Sequence, residues 1–220
     1  MSEVDAAVPA WLRPLVDAVT AEPPPAGPLT PPADGSGRPS AVLVAFGQTP
    51  RGPGVLLIER SPTLRRHPGQ VAFPGGAVEA SDAHSEAAAL REAQEEVGLD
   101  PRTVTVLLRL PELYIPRSGF RVTPVLSWWR APHPIAAVDR HEVVRAALVP
   151  VADLTDPGHR FTVNSPSGRF GPGFEADGLF VWGFTALLLD RLLTLGGWER
   201  PWDPERLRRI PDALLGLPPA

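Results

Sequence analysis

The 220-residue chain is 43% hydrophobic and 21% charged, which suffices for one packed domain with extensions. Its formal net charge of −4 offers no basic surface, so nonspecific nucleic-acid binding is not expected. Cysteine is absent, which excludes disulfides and thiolate metal sites and fits a reducing cytoplasm.

The start, MSEVDAAVPAWLRPL, is acidic and has no uninterrupted apolar stretch, so it does not read as a signal peptide. Trp11, Leu15 and Val19 recur at helical spacing and predict a short amphipathic helix that docks on the body. Ala21 to Ser40, AEPPPAGPLTPPADGSGRPS, is a Pro-rich linker that cannot hold a regular helix or an inner strand, and its composition predicts disorder. Ala41 to Phe46 and Val55 to Glu59 are apolar runs separated by QTPRGPG, a hairpin pattern. Further strands are predicted over Thr103 to Leu110, Phe120 to Trp129 and Ala146 to Val151. Helices are predicted over Asp82 to Val97, Phe184 to Leu195 and Pro204 to Leu215. The most apolar segment, Val181 to Leu195, is interrupted by Asp190 and Arg191 and falls short of the roughly 20 residues that span a bilayer, so no membrane partner is expected. Strands before and between helices, without regular alternation, predict an α/β sandwich with a mixed sheet.

The helix from Asp82 to Val97 carries the chemistry. With Leu90 at the origin of a helical wheel, Ala83, Ala87, Ala93 and Val97 fall within about 60° and form an apolar stripe. Glu92, Glu95 and Glu96 lie at roughly 140° to 240°, on the far side. Asp82 or Ser81 is the expected N-cap and Gly98 the C′ residue. Three glutamates at a helix C-terminus oppose the macrodipole, and Arg91 alone compensates locally. They either form a solvated face or hold a hard divalent cation. Phe73-Pro74-Gly75-Gly76, just upstream, is an ordinary tight turn or a backbone that approaches a ligand closely and completes a metal shell.

Gly76 followed by REAQEEVGL, Arg91 to Leu99, resembles the Nudix box, whose core is R-E-U-x-E-E-x-G-U with U apolar. The acidic residue six after the glycine, Asp82, stands nine before Arg91 where the box has eight, so one residue is inserted. The preceding run LLIERSPTLRRHPGQVAFPGG, Leu56 to Gly76, resembles the coenzyme A signature of one Nudix subfamily, departing only at Ile58 where Thr is usual. Ser118-Gly119-Phe120, Glu142-Val143 and Trp182 to Ala186 are similar to that subfamily more loosely.

The resemblance spans about residues 40–196 and implies a Nudix α/β/α sandwich, taken as a domain over residues 40–200; residues 1–39 (short helix and Pro-rich linker) and a C-terminal extension, 201–220, with the helix expected from its own pattern, lie outside the resemblance. It implies Mg²⁺- or Mn²⁺-dependent hydrolysis of the diphosphate of coenzyme A or an acyl-coenzyme A. Glu92, Glu95 and Glu96 would be the metal ligands, and Arg91 would orient them by charge-assisted hydrogen bonds. Glu142 is the candidate general base; the alternative is an exposed residue before a strand. Arg60 and Arg65 are candidate phosphate contacts, with Gly75 and Gly76 lining the substrate; Arg66 reads as surface charge. Trp128 or Trp129 is a candidate adenine platform. None of the five histidines is assigned a role. A homodimer is compatible with the pattern. The competing readings are a Nudix hydrolase of another nucleoside diphosphate derivative and a non-catalytic Nudix-fold binding module.

Overall fold

Strand β1 (Arg38–Thr49) contains the run Ala41 to Phe46 and is buried along almost its whole length. Its alternate side chains enter two separate cores: Ala41, Leu43 and Ala45 face one, Val44 and Phe46 the other. A strand covered on both faces reads as a continuous apolar run, which is why AVLVAF shows no alternation. The computed structural model describes residues 8–22, 27–165 and 168–215. Residues 1–7 and 23–26 of the N-terminal segment, and 216–220 of the C-terminal extension, lie outside them.

One edge of β1 runs parallel to β7 (Phe120–Trp129), with Arg38 opposite Phe120 and Gly47 opposite Trp129. Its other edge is shared. β2 (Gly52–Arg60) forms the expected hairpin at one end, Phe46 opposite Val55, then leaves to pair with β3 (Val71–Ala72) and β8 (Val143–Pro150). β4 (Gly75–Ala77) takes the opposite end of the same edge, with Val42 opposite Gly75. β5 (Val104–Arg109) and β6 (Leu113–Ile115) pair antiparallel with β7. The sheet is therefore mixed, its parallel pair at the centre.

Helix α1 (Arg13–Ala21) and α2 (Ser85–Val97) lie on opposite faces of this sheet. α2 packs Ala88, Ala89, Ala93 and Val97 against Ala41, Leu43, Leu56 and Ile58. Across the sheet, α3 (Val151–Leu154) contributes Val151 and Leu154, and α4 (Gly183–Leu195) contributes Leu188, Leu189, Leu192 and Leu193. α1 adds Leu15 and Val19 to that second core, and Trp11 sits 6.5 Å, centroid to centroid, from Trp198. The result is an α/β/α sandwich.

A second sheet, unanticipated from the sequence, has the order β11 (Leu179–Val181), β10 (Gly168–Ala176), β9 (Arg160–Ser165), β12 (Leu207–Arg209). Arg160 fastens it to α4. Its side chain is fully buried, pairs with Asp190 and, at 3.4 Å, with Glu199, and lies over the rings of Phe174 and Trp202 at 4.9 and 4.5 Å. β12 overturns the helix predicted over Pro204 to Leu215. Leu207 to Arg209 pair in parallel with β9, and only a single 3₁₀ turn, Asp212–Leu215, follows. Among the described residues no helix is long and apolar enough to cross a membrane.

Leu15 is fully buried where α1 meets the body. Leu15→Ala is expected to cost about 2–5 kcal/mol, the range for a truncated core leucine, with a matching fall in Cm in urea denaturation.

Candidate active site

α2 begins at Ser85, three residues later than predicted. His84 is its N-cap, its Nδ1 accepting from the Ala87 N–H at 3.2 Å. Asp82, the expected cap, is engaged elsewhere. At the other end Gly98 adopts φ 71° and donates to the carbonyl of Gln94, the left-handed terminus its glycine allows.

The buried face of α2 is turned relative to the helical wheel. Ala83 is exposed, while Glu96 joins Ala89, Ala93 and Val97 on the buried side. Only 5% of Glu96 is exposed, and its Oε2 accepts from the Gly75 N–H at 3.0 Å. Burial pushes its carboxyl up to about 8; that single N–H and the charge of Arg60 offset this in part, while the charges of Glu92 and Glu142 add to it. Glu92 is also raised, chiefly by burial, against the opposing pull of Arg91. Glu95 projects outward, its side chain 59% exposed.

Arg91 organises the cluster. Its Nε and Nη2 grip the Asp82 carboxylate at 3.1 and 3.0 Å, and Nη2 also donates to the Ala77 carbonyl at 3.1 Å. Nη1 reaches Glu95 at 2.9 Å and Glu92 at 3.1 Å. Hydrogen bonding to Arg91 holds Asp82 below the usual carboxylate range, and the Asp82 contact is the main cause raising Arg91 itself. One guanidinium thus ties the entry loop, β4 and two glutamates of the helix, and Asp82 serves this network instead of the helix end.

The glycine pair is required at both positions. A Cβ on Gly75 would stand 2.3 Å from the Ala41 carbonyl oxygen, and one on Gly76 would stand 2.4 Å from Glu92 Oε1. Gly75-Gly76 is therefore not a free tight turn: it opens strand β4, pressed between β1 and the carboxylates.

Glu142 is exposed ahead of β8, with its backbone carbonyl accepting from the Ser61 N–H at 2.8 Å. Its charge acts on both Glu92 and Glu96. Among the described residues no three carboxylates or imidazoles stand already converged on a metal position. The fit to a hard divalent cation rests on Glu96 and Glu92. They are two mutually repelling carboxylates, Glu96 buried and Glu92 half-buried, an arrangement a cation would neutralise, and their oxygens are the donors such ions take. Glu95 faces Arg91 instead.

Beside this cluster lies a cleft of about 890 Å³ where the shared edge of β1 opens. Arg38, Arg60, Arg66 and Arg117 line it together with Gly75 and Gly76, and among the described residues no acidic side chain does. Arg60 buries its Nε without a hydrogen-bond partner. Arg65 and Arg66 are both exposed, as the surface-charge reading of Arg66 has it, but Arg66 also lines the cleft and Arg65 does not. His67, which sequence reasoning passed over, lines the cleft at φ 55° and faces Gln70 Oε1 across 3.0 Å from its Nδ1. Its pKa is lowered, first by burial and then by the charges of Arg60, Arg117 and Arg66, all of which line the same cleft, against the raising effect of the Gln70 hydrogen bond. The signals that could have found His67 and Arg117 were their places within HPGQ and directly before the Ser-Gly-Phe pattern. Neither Trp128 nor Trp129 lines the cleft, so neither is an adenine platform there. Trp129 is buried, its Nε1 donating to Thr103 Oγ1 at 3.0 Å.

A family model for the NUDIX domain matches residues 37–170, more than half of the chain. The chain belongs to the Nudix family. It is 41% identical over 167 residues to a protein of Cronobacter sakazakii named uncharacterized Nudix hydrolase NudL, covering 74% of this chain and 85% of that one. A protein of the same name from Klebsiella aerogenes is 56% identical over 89 residues, covering 40% of this chain and 72% of the other. Among solved structures, the Nudix hydrolase RenU of M. smegmatis superposes with a TM-score of 0.53 at 20% identity, over 76% of this chain and 89% of its own, a likeness of fold. As a Nudix hydrolase, the protein cleaves a pyrophosphate bond in a nucleoside diphosphate derivative, and enzymes of the family generally use divalent metal ions.

Two outcomes test this geometry. In Gly76→Ala the new methyl must displace the end of the Glu92 side chain, so catalysis should fall about a hundredfold while thermal unfolding shows the fold retained. Glu96 has its pKa raised in the folded state from 4.5 to about 8, so it contributes fully to stability below pH ~4.5 and that contribution is lost as pH rises through ~8. Metal-free protein should therefore melt at lower temperature at pH 8.5 than at pH 5, and added Mg²⁺ should raise Tm more at pH 8.5 than at pH 5.

Proposed function

We propose that the protein is a coenzyme A diphosphatase, hydrolysing coenzyme A or an acyl-coenzyme A to 3′,5′-ADP and (acyl-)4′-phosphopantetheine. The observation that carries this reading is the cleft beside Glu92 and Glu96 that Arg38, Arg60, Arg66, Arg117 and His67 line and that, among the described residues, no acidic side chain lines. Such a cluster suits a polyanion with more charge than a simple diphosphate, and coenzyme A adds a 3′-phosphate to its diphosphate bridge. The sequence run from Leu56 to Gly76 that resembles the coenzyme A signature builds one wall of it.

In this reading Glu92 and Glu96 hold the divalent cation, Mg²⁺ or Mn²⁺, and Glu95 assists from the exposed side. When bound, the ion supplies charge neutralisation at the diphosphate and a lowered pKa for water. Arg91 holds Glu92 and Glu95 through a single guanidinium nitrogen, Nη1, so their positions are set before substrate arrives. Arg60 and Arg66 meet phosphate oxygens, Arg65 approaches from the rim, and the glycines let the substrate lie close to β4. Glu142 takes the proton of the attacking water.

The test is hydrolysis of coenzyme A with Mg²⁺ or Mn²⁺, products separated by chromatography, with ADP-ribose and NADH in parallel. Release of 3′,5′-ADP from coenzyme A is expected to dominate and to fall by about a hundredfold or more in Glu96→Gln. Preferential cleavage of ADP-ribose or NADH would overturn the substrate assignment, and a folded protein that cleaves none of them would leave a binding module. Glu142→Gln should lower kcat with little change in KM, since a proton acceptor acts in the transition state.

A further inference from the structure

Glu142 stands on the connection between β7 and β8, and that connection is tied down along its length. Near its start the Asp100 N–H donates to His133 Nε2 at 3.1 Å, and the His133 ring meets Trp129 edge-on, 5.3 Å between centroids. Further on, the Ala136 N–H donates to the Val97 carbonyl at 3.3 Å and the Val138 N–H to the Glu96 carbonyl at 3.0 Å. Glu96 and Val97 belong to the last turn of α2, where carbonyls lack partners within the helix. The connection therefore caps the helix that carries the carboxylates. Ile135 and Ala137 pack against the core that α2 shares with β1. At the far end the Glu142 carbonyl accepts from Ser61, a buried residue whose own carbonyl accepts from the Gly69 N–H at 3.3 Å.

Between Val138 and β8 the chain makes a tight turn, Asp139-Arg140-His141-Glu142, and Asp139 closes it with both of its oxygen types. Its Oδ1 accepts from the His141 N–H at 2.8 Å. Its carbonyl accepts from the N–H groups of Glu142 at 3.0 Å and Val143 at 2.9 Å. This is the arrangement by which a short carboxylate starts a helical turn, the side chain satisfying a donor that the backbone cannot. Among the described residues the Asp139 carboxylate has no ion pair, so closing the turn is what it does.

We propose that Asp139 is a positioning residue of the hydrolytic reaction: the turn that it closes holds Glu142 beside the end of α2 that presents Glu92 and Glu96. This role rests on the reading of Glu142 as proton acceptor. A carboxylate on a loose, exposed connection would spend most of its time away from the attacking water. Misplacement by about an ångström costs a reaction up to about a hundredfold. The ties to α2 and Ser61 fix the ends of the segment, and the Asp139 turn fixes the backbone between them, so only the rotations of the Glu142 side chain remain.

The experiment measures kcat and KM on the full chain with Mg²⁺, using whichever of coenzyme A, ADP-ribose and NADH the wild type cleaves. The variants are Asp139→Ala, Asp139→Asn, Glu142→Gln and Asp139→Ala combined with Glu142→Gln, each shown to be folded by thermal unfolding. Asp139→Ala should lower kcat about tenfold and leave KM within about twofold. Asp139→Asn keeps the Oδ1 acceptor and should stay within about twofold of wild type in both. Added to Glu142→Gln, Asp139→Ala should lower kcat no further, since no proton acceptor is left to misplace. Asp139→Gly removes the same acceptor and takes over if the alanine variant fails to fold. A wild-type kcat in folded Asp139→Ala, an equal loss in Asp139→Asn, or full additivity in the combined variant overturns the positioning role and leaves Glu142 as proton acceptor standing. A wild-type kcat in Glu142→Gln overturns the proton acceptor and this role with it, as does a folded wild type that cleaves none of the compounds.

Discussion

A carboxylate taken out of water beneath a sheet edge, with one backbone N–H as its hydrogen-bond partner, governs the rest of this site. Glu96 occupies a place on α2 where the packing would otherwise accept an alanine or valine. Burying an ionisable group this way disfavours its charged form, and an enzyme tolerates that where the group has chemistry to perform. The surroundings follow from it. Gly75 must be glycine for β4 to come close enough to donate to Glu96. Gly76 must be glycine so that Glu92 can stand beside it. Arg91 must be held on three sides so that it neutralises Glu92 without closing over the cleft.

What the sequence revealed, and what it hid, separates along physical lines. β1, β2 and β7 were legible because apolar runs of their length, bounded by turn residues, have few alternatives. α2 was legible from its period, but its rotation was not. The wheel assumed that charge faces water, and the burial of Glu96 broke that assumption. Asp82 read as a cap because capping is local, whereas its bond to Arg91 depends on the helix already being in place. The second sheet was hidden because β10, GRFGPGFEA, has the Pro and Gly content of a loop; its strand pairing comes from β9 and β11, not from its own propensity. Leu207 to Arg209 failed as a helix for the same reason, being drawn into the sheet by β9. Arg65 and Arg66 differ by one position in the chain, yet only one lines the cleft, a distinction no spacing rule carries.

The carboxylate cluster and the apolar side of the cleft come from different layers of the molecule. The first is assembled from α2, β4 and the loop between them. The second draws in part on the chain that follows β12, and Arg160 is one of the ties between the small sheet and α4, beside the packing of Phe174, Ala176, Leu179 and Val181. A fully buried guanidinium held between Asp190 and Glu199, and stacked on Phe174 and Trp202, contributes modestly to net stability, since desolvation offsets much of the pairing. Its directional demands fit it to set how the small sheet meets α4, and therefore where the chain following β12 crosses the cleft.

The parallel pairing of β1 with β7 also shapes how the molecule assembles. The hairpin of β1 and β2 closes over a two-residue turn, but Arg38 meets Phe120 only after more than eighty residues of intervening chain have been gathered in. Contacts so distant in sequence are slow to form because loop entropy is lost before they stabilise anything. The hairpin can form early, while the opposite edge of β1 waits for β7. During that interval a strand destined to be buried on both faces has an open side, which makes this a stage of folding exposed to pairing with another chain.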